Sequence, residues 1–512
     1  MNNKSSRSLN SINNAAVSIG STLIITLLHF IQRRVFVSVL SNEYLGLGGL
    51  FSNILSILSL AELGIGYAMN YALYKPIKDG DTEKIKSLMK LYRTYYTIIG
   101  IVVLAAGMSL APFLNYLIKD MPQDIPNIRL YYCLYVLNSA SSYFFTYKRA
   151  LIVCDQKEFI STLNYFCISV LTSVVRIAIL LKTENYLLYL LVSILFTLIG
   201  NLVISLIAGK LYPYLKEKDV KALDENEKKQ IRKNIGALIF HKIGSVVVFS
   251  TDNLIISRFL GLISVGLYSN YTMIINGIKK FILKLVSSST ASVGNLVASG
   301  DRDQCRKIME HMIFACVWLY GFSAICFVCL IPSFVVLWIG EDYLLPEATL
   351  IAAAVSFYIT GMRQIVIVFK DAAGIFIPDR YKAIVESIAN IVLSIPLAIK
   401  YGITGVILGT IMSTVLVCFW YEAYVFFRDF YGGGTKRYLL YQLAYAAFNA
   451  ILCAGVWYVC SLVDGMDIVA FVFKFLICLI LPNAIYFLLF RKSPHFKYFL
   501  GIACRIIKRK KK

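Results

Sequence analysis

Fourteen long apolar stretches constrain this chain more than any other feature of its sequence. A helix needs about 20 apolar residues to cross the hydrocarbon core of a bilayer, and these stretches are close to that length or longer. We therefore predict an all-α, polytopic membrane protein with about 14 transmembrane helices. The predicted spans cover residues 15–40, 45–74, 92–112, 128–150, 160–182, 186–209, 236–260, 264–296, 311–338, 347–370, 383–400, 403–427, 438–461 and 468–490.

The composition excludes an ordinary soluble protein. Of the 512 residues, 58% are apolar and 16% are charged. Soluble domains contain about 45–50% apolar and about 25% charged residues. The predicted spans also leave little of the chain for large domains outside the membrane.

The net charge of +22 follows the predicted topology. If the first residues lie in the cytoplasm, the connections on that side carry 37 of the 51 Lys and Arg residues. The connections on the other side carry Lys119, Arg129, Lys182 and Lys400. Because cytoplasmic loops are enriched in basic residues, this asymmetry predicts that both termini are cytoplasmic. It explains the charge without a nucleic-acid partner, and the basic run 508–512 is expected to lie against membrane lipid.

The sequence lacks common signatures of an enzyme. It contains no G-x-x-x-x-G-K-[ST] phosphate loop, no H-E-x-x-H motif and no dinucleotide fingerprint after a strand. The longest outside connection, residues 113–127, leaves little room for a catalytic segment. We therefore expect no catalytic residues; a membrane glycosyltransferase or polymerase is the alternative from a different class. The cysteines and histidines are scattered, which predicts neither disulfides nor a metal site.

An internal repeat organises the chain. Residues 49–53 (GLFSN) recur as residues 266–270 (GLYSN), an offset of 217. Gly80-Asp81 recurs as Gly300-Asp301 at an offset of 220. The first match opens spans that are six apart, so the two copies should have parallel orientation. This predicts two pseudo-symmetric lobes of six helices each.

The repeat and the spans together predict the domain organisation. Residues 1–209 form the N-terminal lobe and residues 210–235 a cytoplasmic linker. Residues 236–427 form the C-terminal lobe, and residues 428–512 contain spans 13 and 14 with a basic cytoplasmic tail. Pseudo-symmetric halves of this kind commonly hold a substrate site between them.

Several short motifs resemble those of Wzx-type polysaccharide flippases, in the polysaccharide transporter branch of the multidrug/oligosaccharidyl-lipid/polysaccharide exporter superfamily. They are residues 43–53 (EYLGLGGLFSN), 61–66 (AELGIG), 251–253 (TDN), 266–270 (GLYSN), 291–295 (ASVGN) and 370–374 (KDAAG).

This resemblance implies a flippase in the bacterial cytoplasmic membrane. Its substrate would be an undecaprenyl-diphosphate-linked oligosaccharide, moved by alternating access for capsule or O-antigen biosynthesis, in contact with polysaccharide polymerase machinery. No cofactor is expected, and a proton or sodium gradient is the candidate driving force. A cation-coupled multidrug exporter of the same superfamily is the closest alternative.

Three lysines lie near the middle of span 8. A charged side chain that faces lipid at the bilayer centre costs about 2.5–3.5 kcal/mol, so Lys279, Lys280 and Lys284 should face a cavity or a partner. At 3.6 residues per turn, Lys280 and Lys284 share one helix face and Lys279 points about 100° away. The alternatives are pairing with carboxylates and extension toward the interface.

Five further charged residues complete the predicted site. Span 1 contains Arg33 and Arg34, span 2 Glu62, and span 7 Asp252 and Arg258. With the lysines they make six basic residues against two acidic ones, a balance that attracts anions. We predict that the basic residues bind the diphosphate headgroup and that Glu62 and Asp252 act in coupling or gating. Helix-packing ion pairs and snorkelling are the alternatives.

Overall fold

The computed structural model describes residues 2–62, 64–119, 121, 122, 124–217, 220–287, 293, 294, 296, 297, 300–375, 378 and 381–501. Sixteen α-helices and no strand occur in these ranges, so the predicted all-α, polytopic fold is confirmed. The chain forms two compact units, Met1–Gly266 and Leu267–Lys512. The basic run 508–512 and most of the 291–295 motif lie outside the described residues.

The first unit contains helices α1 to α9 and the start of α10. Their bounds are α1 Asn2–Val39, α2 Asn42–Leu58, α3 Ile65–Asp79, α4 Thr82–Leu110, α5 Leu114–Leu117, α6 Ile128–Cys154, α7 Glu158–Thr183, α8 Tyr186–Leu211 and α9 Glu225–Leu260.

The second unit contains most of α10 and helices α11 to α16. Their bounds are α10 Leu262–Ser287, α11 Arg302–Ile339, α12 Glu347–Ala372, α13 Lys382–Ser413, α14 Trp420–Phe426, α15 Thr435–Ser461 and α16 Ile468–Phe490.

Within the described residues, each of the fourteen predicted spans falls mainly on helix. Nine helical segments there are long and apolar enough to cross a membrane. That number is smaller than fourteen partly because predicted spans 11 and 12 form one continuous segment, Lys382–Tyr431. Several helices also extend beyond the apolar stretches into the predicted connections; α6 continues to Cys154 and α11 begins at Arg302.

The second predicted span is interrupted, not continuous. The α2 helix ends at Leu58, a 3₁₀ turn covers Ser59–Glu62, and α3 begins at Ile65. Gly64 lies at φ +75°, in the left-handed region that only glycine enters without strain. The break therefore places Glu62 at a change in chain direction, which hydropathy alone does not reveal.

Close packing explains Gly46, a glycine of the 43–53 motif. A Cβ atom at Gly46 would overlap the backbone carbonyl oxygen of Leu262, within the first unit. Only a residue without a side chain lets α2 approach this backbone so closely.

Each unit has its own apolar core. In the first unit, Tyr92 and Tyr96 of α4 pack with Leu151 of α6 in one cluster, while Phe51 and Tyr132 pack in another. A large cluster of the second unit includes residues of α10, α11, α12, α14 and α15.

The predicted boundary between spans 11 and 12 is a bend. Gly402 lies at φ 62° and ψ −140° inside α13. Further along, two π-helical segments, Thr414–Phe419 and Phe427–Tyr431, flank the short helix α14.

Candidate functional site

Five of the predicted site residues lie in the first unit, and the three lysines of α10 lie in the second. Arg33 is half-buried on α1, and its neighbour Arg34 is exposed. The residue before them, Gln32, is buried and donates from Nε2 to the hydroxyl of Tyr189 at 2.6 Å. The Arg176 guanidinium lies over the ring of Tyr189, 4.3 Å from its centroid. This polar stretch of α1 therefore packs beside basic and aromatic groups of α7 and α8.

Glu62 lies at one wall of a cavity in the first unit. The cavity has a volume of about 340 Å³ and is also lined by Asn70, Tyr96, Thr146 and Arg149, among others. The Tyr96 hydroxyl donates to Glu62 Oε1 at 2.5 Å. A neutral donor therefore holds this carboxylate. Its role in coupling or gating stays a prediction.

Arg149 is a residue of this cavity that the sequence did not identify. It was counted with the cytoplasmic connection 148–158, although the predicted span extends to residue 150. The α6 helix instead continues to Cys154, which keeps Arg149 on the helix and directed to the cavity.

Asp252 and Arg258 lie on α9, where Asp252 is half-buried and Arg258 is exposed. Ser257 fixes this part of the helix: its hydroxyl donates to the Leu117 carbonyl at 2.9 Å, and its own carbonyl accepts from the Lys119 amide at 3.0 Å. The structure therefore places Arg258 beside the end of α5. Neither Asp252 nor Arg258 lines the Glu62 cavity.

Lys280 and Lys284 line a single cavity in the second unit. This cavity has a volume of about 350 Å³, and Gln364 and Val368 of α12 face it from the other side. Both lysines are exposed, one helical turn apart, as their spacing predicts. Lys279 is half-buried and does not line this cavity.

A buried ionic cluster in the second unit was missed by the sequence analysis. Arg363 of α12 donates to both carboxylate oxygens of Glu422 at 3.0 Å, from Nε and Nη2. Its Nη1 donates to Glu386 Oε1 at 3.2 Å. Lys382 also pairs with Glu422, and the Thr414 hydroxyl donates to Glu386 at 3.0 Å.

The four charges of this cluster balance. The side chain of Glu422 is only 2% exposed, and those of Glu386, Arg363 and Lys382 are 8%, 12% and 12% exposed. The sequence did contain a signal for this cluster: Glu386 and Glu422 both lie inside predicted spans. Carboxylates are rare in membranes without a partner.

The expectation that the cysteines are scattered is wrong for the second unit. Cys326 and Cys329 form a C-x-x-C pair on α11. The sulfur atoms of Cys329, Cys460 and Cys478 lie within 4.8 Å of one another, and all three residues are buried. Their surroundings are apolar, including Leu452 and Val456, so these thiols pack as small apolar side chains. Helix packing, not local spacing, brings them together.

Solved structures of transporters share this fold. A lipid II flippase, MurJ, in an inward closed conformation is 16% identical and covers 93% of this chain and 99% of its own, with a TM-score of 0.66. An inward-facing multidrug resistance MATE family transporter of the MOP superfamily is 15% identical, covers 80% of this chain and 98% of its own, and has a TM-score of 0.60.

A third similar structure is a MOP superfamily transporter from Pyrococcus furiosus, described as having a binding pocket of reverse polarity. It is 14% identical, covers 82% of this chain and 93% of its own, and has a TM-score of 0.54. No protein-family model matches the sequence, and no curated protein matches it. The chain therefore has the fold of MOP superfamily transporters.

Proposed function

We propose that this protein is a flippase, not an enzyme, and that it moves an undecaprenyl-diphosphate-linked oligosaccharide across a bacterial cytoplasmic membrane. The fold supports this proposal, because solved structures with the same architecture are described as a lipid II flippase and as multidrug transporters. Export of a repeat unit for surface polysaccharide would be its role. The hydrophobic carrier chain would remain in lipid while the sugar and diphosphate pass through the protein.

The pair Lys280 and Lys284 is the observation that carries the proposal. Residues four apart on a helix have Cβ atoms about 5–6 Å apart, so two ammonium groups can each approach one phosphate of a diphosphate. Among the described residues that line their cavity there is no aspartate or glutamate. An anionic headgroup is therefore favoured over a cationic drug.

The other predicted residues are separate parts of the proposal. Arg33, Arg34, Arg258 and Lys279 would add positive charge along the substrate path, and Glu62 and Asp252 would act in coupling to a proton or sodium gradient. Within the first unit, Glu62 and Arg149 share a cavity. A cation would neutralise Glu62 and an anion would neutralise Arg149. Each residue must therefore be substituted separately to assign its role.

Leaflet transfer in proteoliposomes tests the proposal. Purified full-length protein is reconstituted with a polyprenyl-diphosphate oligosaccharide, and the lipid that reaches the opposite leaflet is measured with an impermeant sugar-modifying reagent. We expect transfer by the natural chain. The variant K280Q/K284Q should be at least about tenfold slower, because hydrogen bonds to charged groups contribute about 1.5–3 kcal/mol each.

Lys400→Gln is the matched control. Lys400 is an exposed lysine of the second unit that does not line the Lys280 cavity. Transfer by K400Q should equal transfer by the natural chain. Unchanged transfer by K280Q/K284Q would remove the headgroup role of these lysines.

The same vesicles distinguish a flippase from a multidrug exporter, an alternative that the MATE-like fold also allows. A protein that exports a cationic dye but leaves the oligosaccharide lipid in place would be an exporter. Turnover of a sugar nucleotide would instead identify a glycosyltransferase.

A further inference from the structure

A second polar cavity lies inside the first unit, among α1, α6, α7 and α8. Its volume is about 360 Å³. Arg149 reaches both this cavity and the Glu62 cavity, so it is shared by their linings. The further lining residues that matter here are Asn138, Ser161, Arg176 and Asn201.

Several buried polar atoms around this cavity, two of them N–H donors, have no hydrogen-bond partner among the described residues. Arg176 Nε, Asn201 Nδ2 and Ser161 Oγ are buried, and no described residue forms a hydrogen bond with them. Native proteins satisfy nearly all buried polar groups, so several unpaired ones in one cavity indicate a missing binding partner. A partner that satisfies N–H donors must be an acceptor.

The charge of the lining has one sign. Arg149 and Arg176 face the cavity, and of the described residues that line it none is an aspartate or a glutamate. The Arg176 guanidinium contacts the face of Tyr189 and has no ion pair in the described part of the chain. A positive charge with unpaired N–H donors favours an anion.

We propose that this cavity binds a small anion, held by Arg149 and Arg176 and oriented by Asn201 and Ser161. The buried Asn138 Oδ1 also lacks a partner among the described residues. It could accept from a hydroxyl of the ligand or from a water molecule bound with it. The site is internal to the first unit and does not depend on the identity of the transported lipid.

Anion titration of the full-length protein in detergent tests this inference. Sodium chloride, sodium phosphate and sodium glucuronate are each added at constant ionic strength against a bulky sulfonate salt, and binding is followed by calorimetry and by thermal unfolding. We expect saturable binding of at least one anion, with a rise in unfolding temperature. The anion that binds most tightly identifies the class of ligand: a halide, an inorganic oxyanion or a sugar acid.

Two variants locate the site. Arg176→Gln should weaken binding about ten- to a hundredfold, the equivalent of one charge-assisted hydrogen bond. Asn201→Asp has nearly the same shape but adds a negative charge that repels an anion, so it should abolish binding and keeps the test valid if Arg176→Gln disturbs folding. Lys182→Gln, an exposed residue on the same helix as Arg176, is the control and should bind like the natural chain.

Several results would overturn the inference. They are an unfolding temperature that no anion changes, equal anion binding by the natural chain and both variants, or a dependence on the sodium concentration alone. Failure of lipid transfer would not affect it, because binding is measured without transport.

Discussion

Arg176 in the first unit and Arg363 in the second are both arginines on long apolar helices, but their surroundings differ. Arg363 has two carboxylates within hydrogen-bonding distance, Glu386 and Glu422. Arg176 contacts an aromatic face and has a buried Nε without a described partner. The arginine of the second unit is therefore an internal ion-pair partner, whereas the arginine of the first unit is the one that we propose binds an anion.

Removing one carboxylate from the second unit should have the largest effect. Glu422→Gln leaves Arg363 and Lys382 with one carboxylate between them in a buried site, so we expect a loss of about 3–5 kcal/mol in the free energy of unfolding. A denaturant titration in detergent micelles measures it.

The double variant R363L/E422L is the control for that result. It removes one charge of each sign and leaves Lys382 with Glu386, so it should be clearly more stable than Glu422→Gln. If both variants were equally unstable, packing rather than charge balance would explain the loss.

Loss of a neutral hydrogen-bond donor to a carboxylate should lower the free energy of unfolding less than loss of a carboxylate from the ionic cluster. Tyr96→Phe removes the hydrogen bond to Glu62 while keeping most of the buried ring, and we expect a loss of about 2 kcal/mol in unfolding free energy. Tyr95→Phe, at the half-buried neighbouring position, should change it little. If Tyr96→Phe lowered the free energy of unfolding as much as Glu422→Gln, the ionic cluster of the second unit would not be the more stabilising of the two.

When no anion is added, Arg176→Gln should change the free energy of unfolding less than either Glu422→Gln or Tyr96→Phe. It removes a cation–π contact but also an unpaired donor, so we expect a change within about 1 kcal/mol. The measurement uses the sulfonate buffer of the binding experiment. A loss of several kcal/mol would instead show that Arg176 has a structural partner like that of Arg363.

The smallest effect on stability should be the pH dependence that arises from His495, near the end of the second unit. His495 shares a cavity with Arg306, Glu310 and Arg437, and its Nδ1 lies 2.8 Å from Nδ1 of His311. Burial lowers the pKa of His495 below its usual 6.5, although Glu310 opposes this. The unfolded chain therefore binds more protons as the pH falls through about 6.5, and stability should decline on acidification.

A comparison with His495→Gln measures that contribution. The variant should lose part of the pH dependence of the unfolding temperature between about pH 7.5 and 5.5. An identical pH dependence would show that His495 does not contribute.

The sequence predicted the helices well because each crossing must be apolar over its whole length, which is a local property. It also predicted that Lys280 and Lys284 share a face, since both lie on one regular helix. The ionic cluster could not be predicted in the same way. Arg363 lies 23 residues from Glu386 and 59 from Glu422, and only the packing of their helices brings the three together.

Two differences between the predicted and the observed helices arise from features near the residues concerned. The break near Gly64 is invisible to hydropathy because most of the residues around it are apolar; only the conformational freedom of glycine marks it. Arg149 was counted with a cytoplasmic connection because basic residues usually flank a span on that side, whereas the helix α6 continues to Cys154.

The π-helical segment Thr414–Phe419 has a consequence for any alignment of this region. A π turn accommodates a surplus residue relative to an ordinary α turn, and it advances every later side chain by about 100° around the axis. Deleting one residue from this segment should restore regular winding and rotate Glu422 away from Arg363. An indel here therefore alters electrostatics in the core, while the length of the helix barely changes.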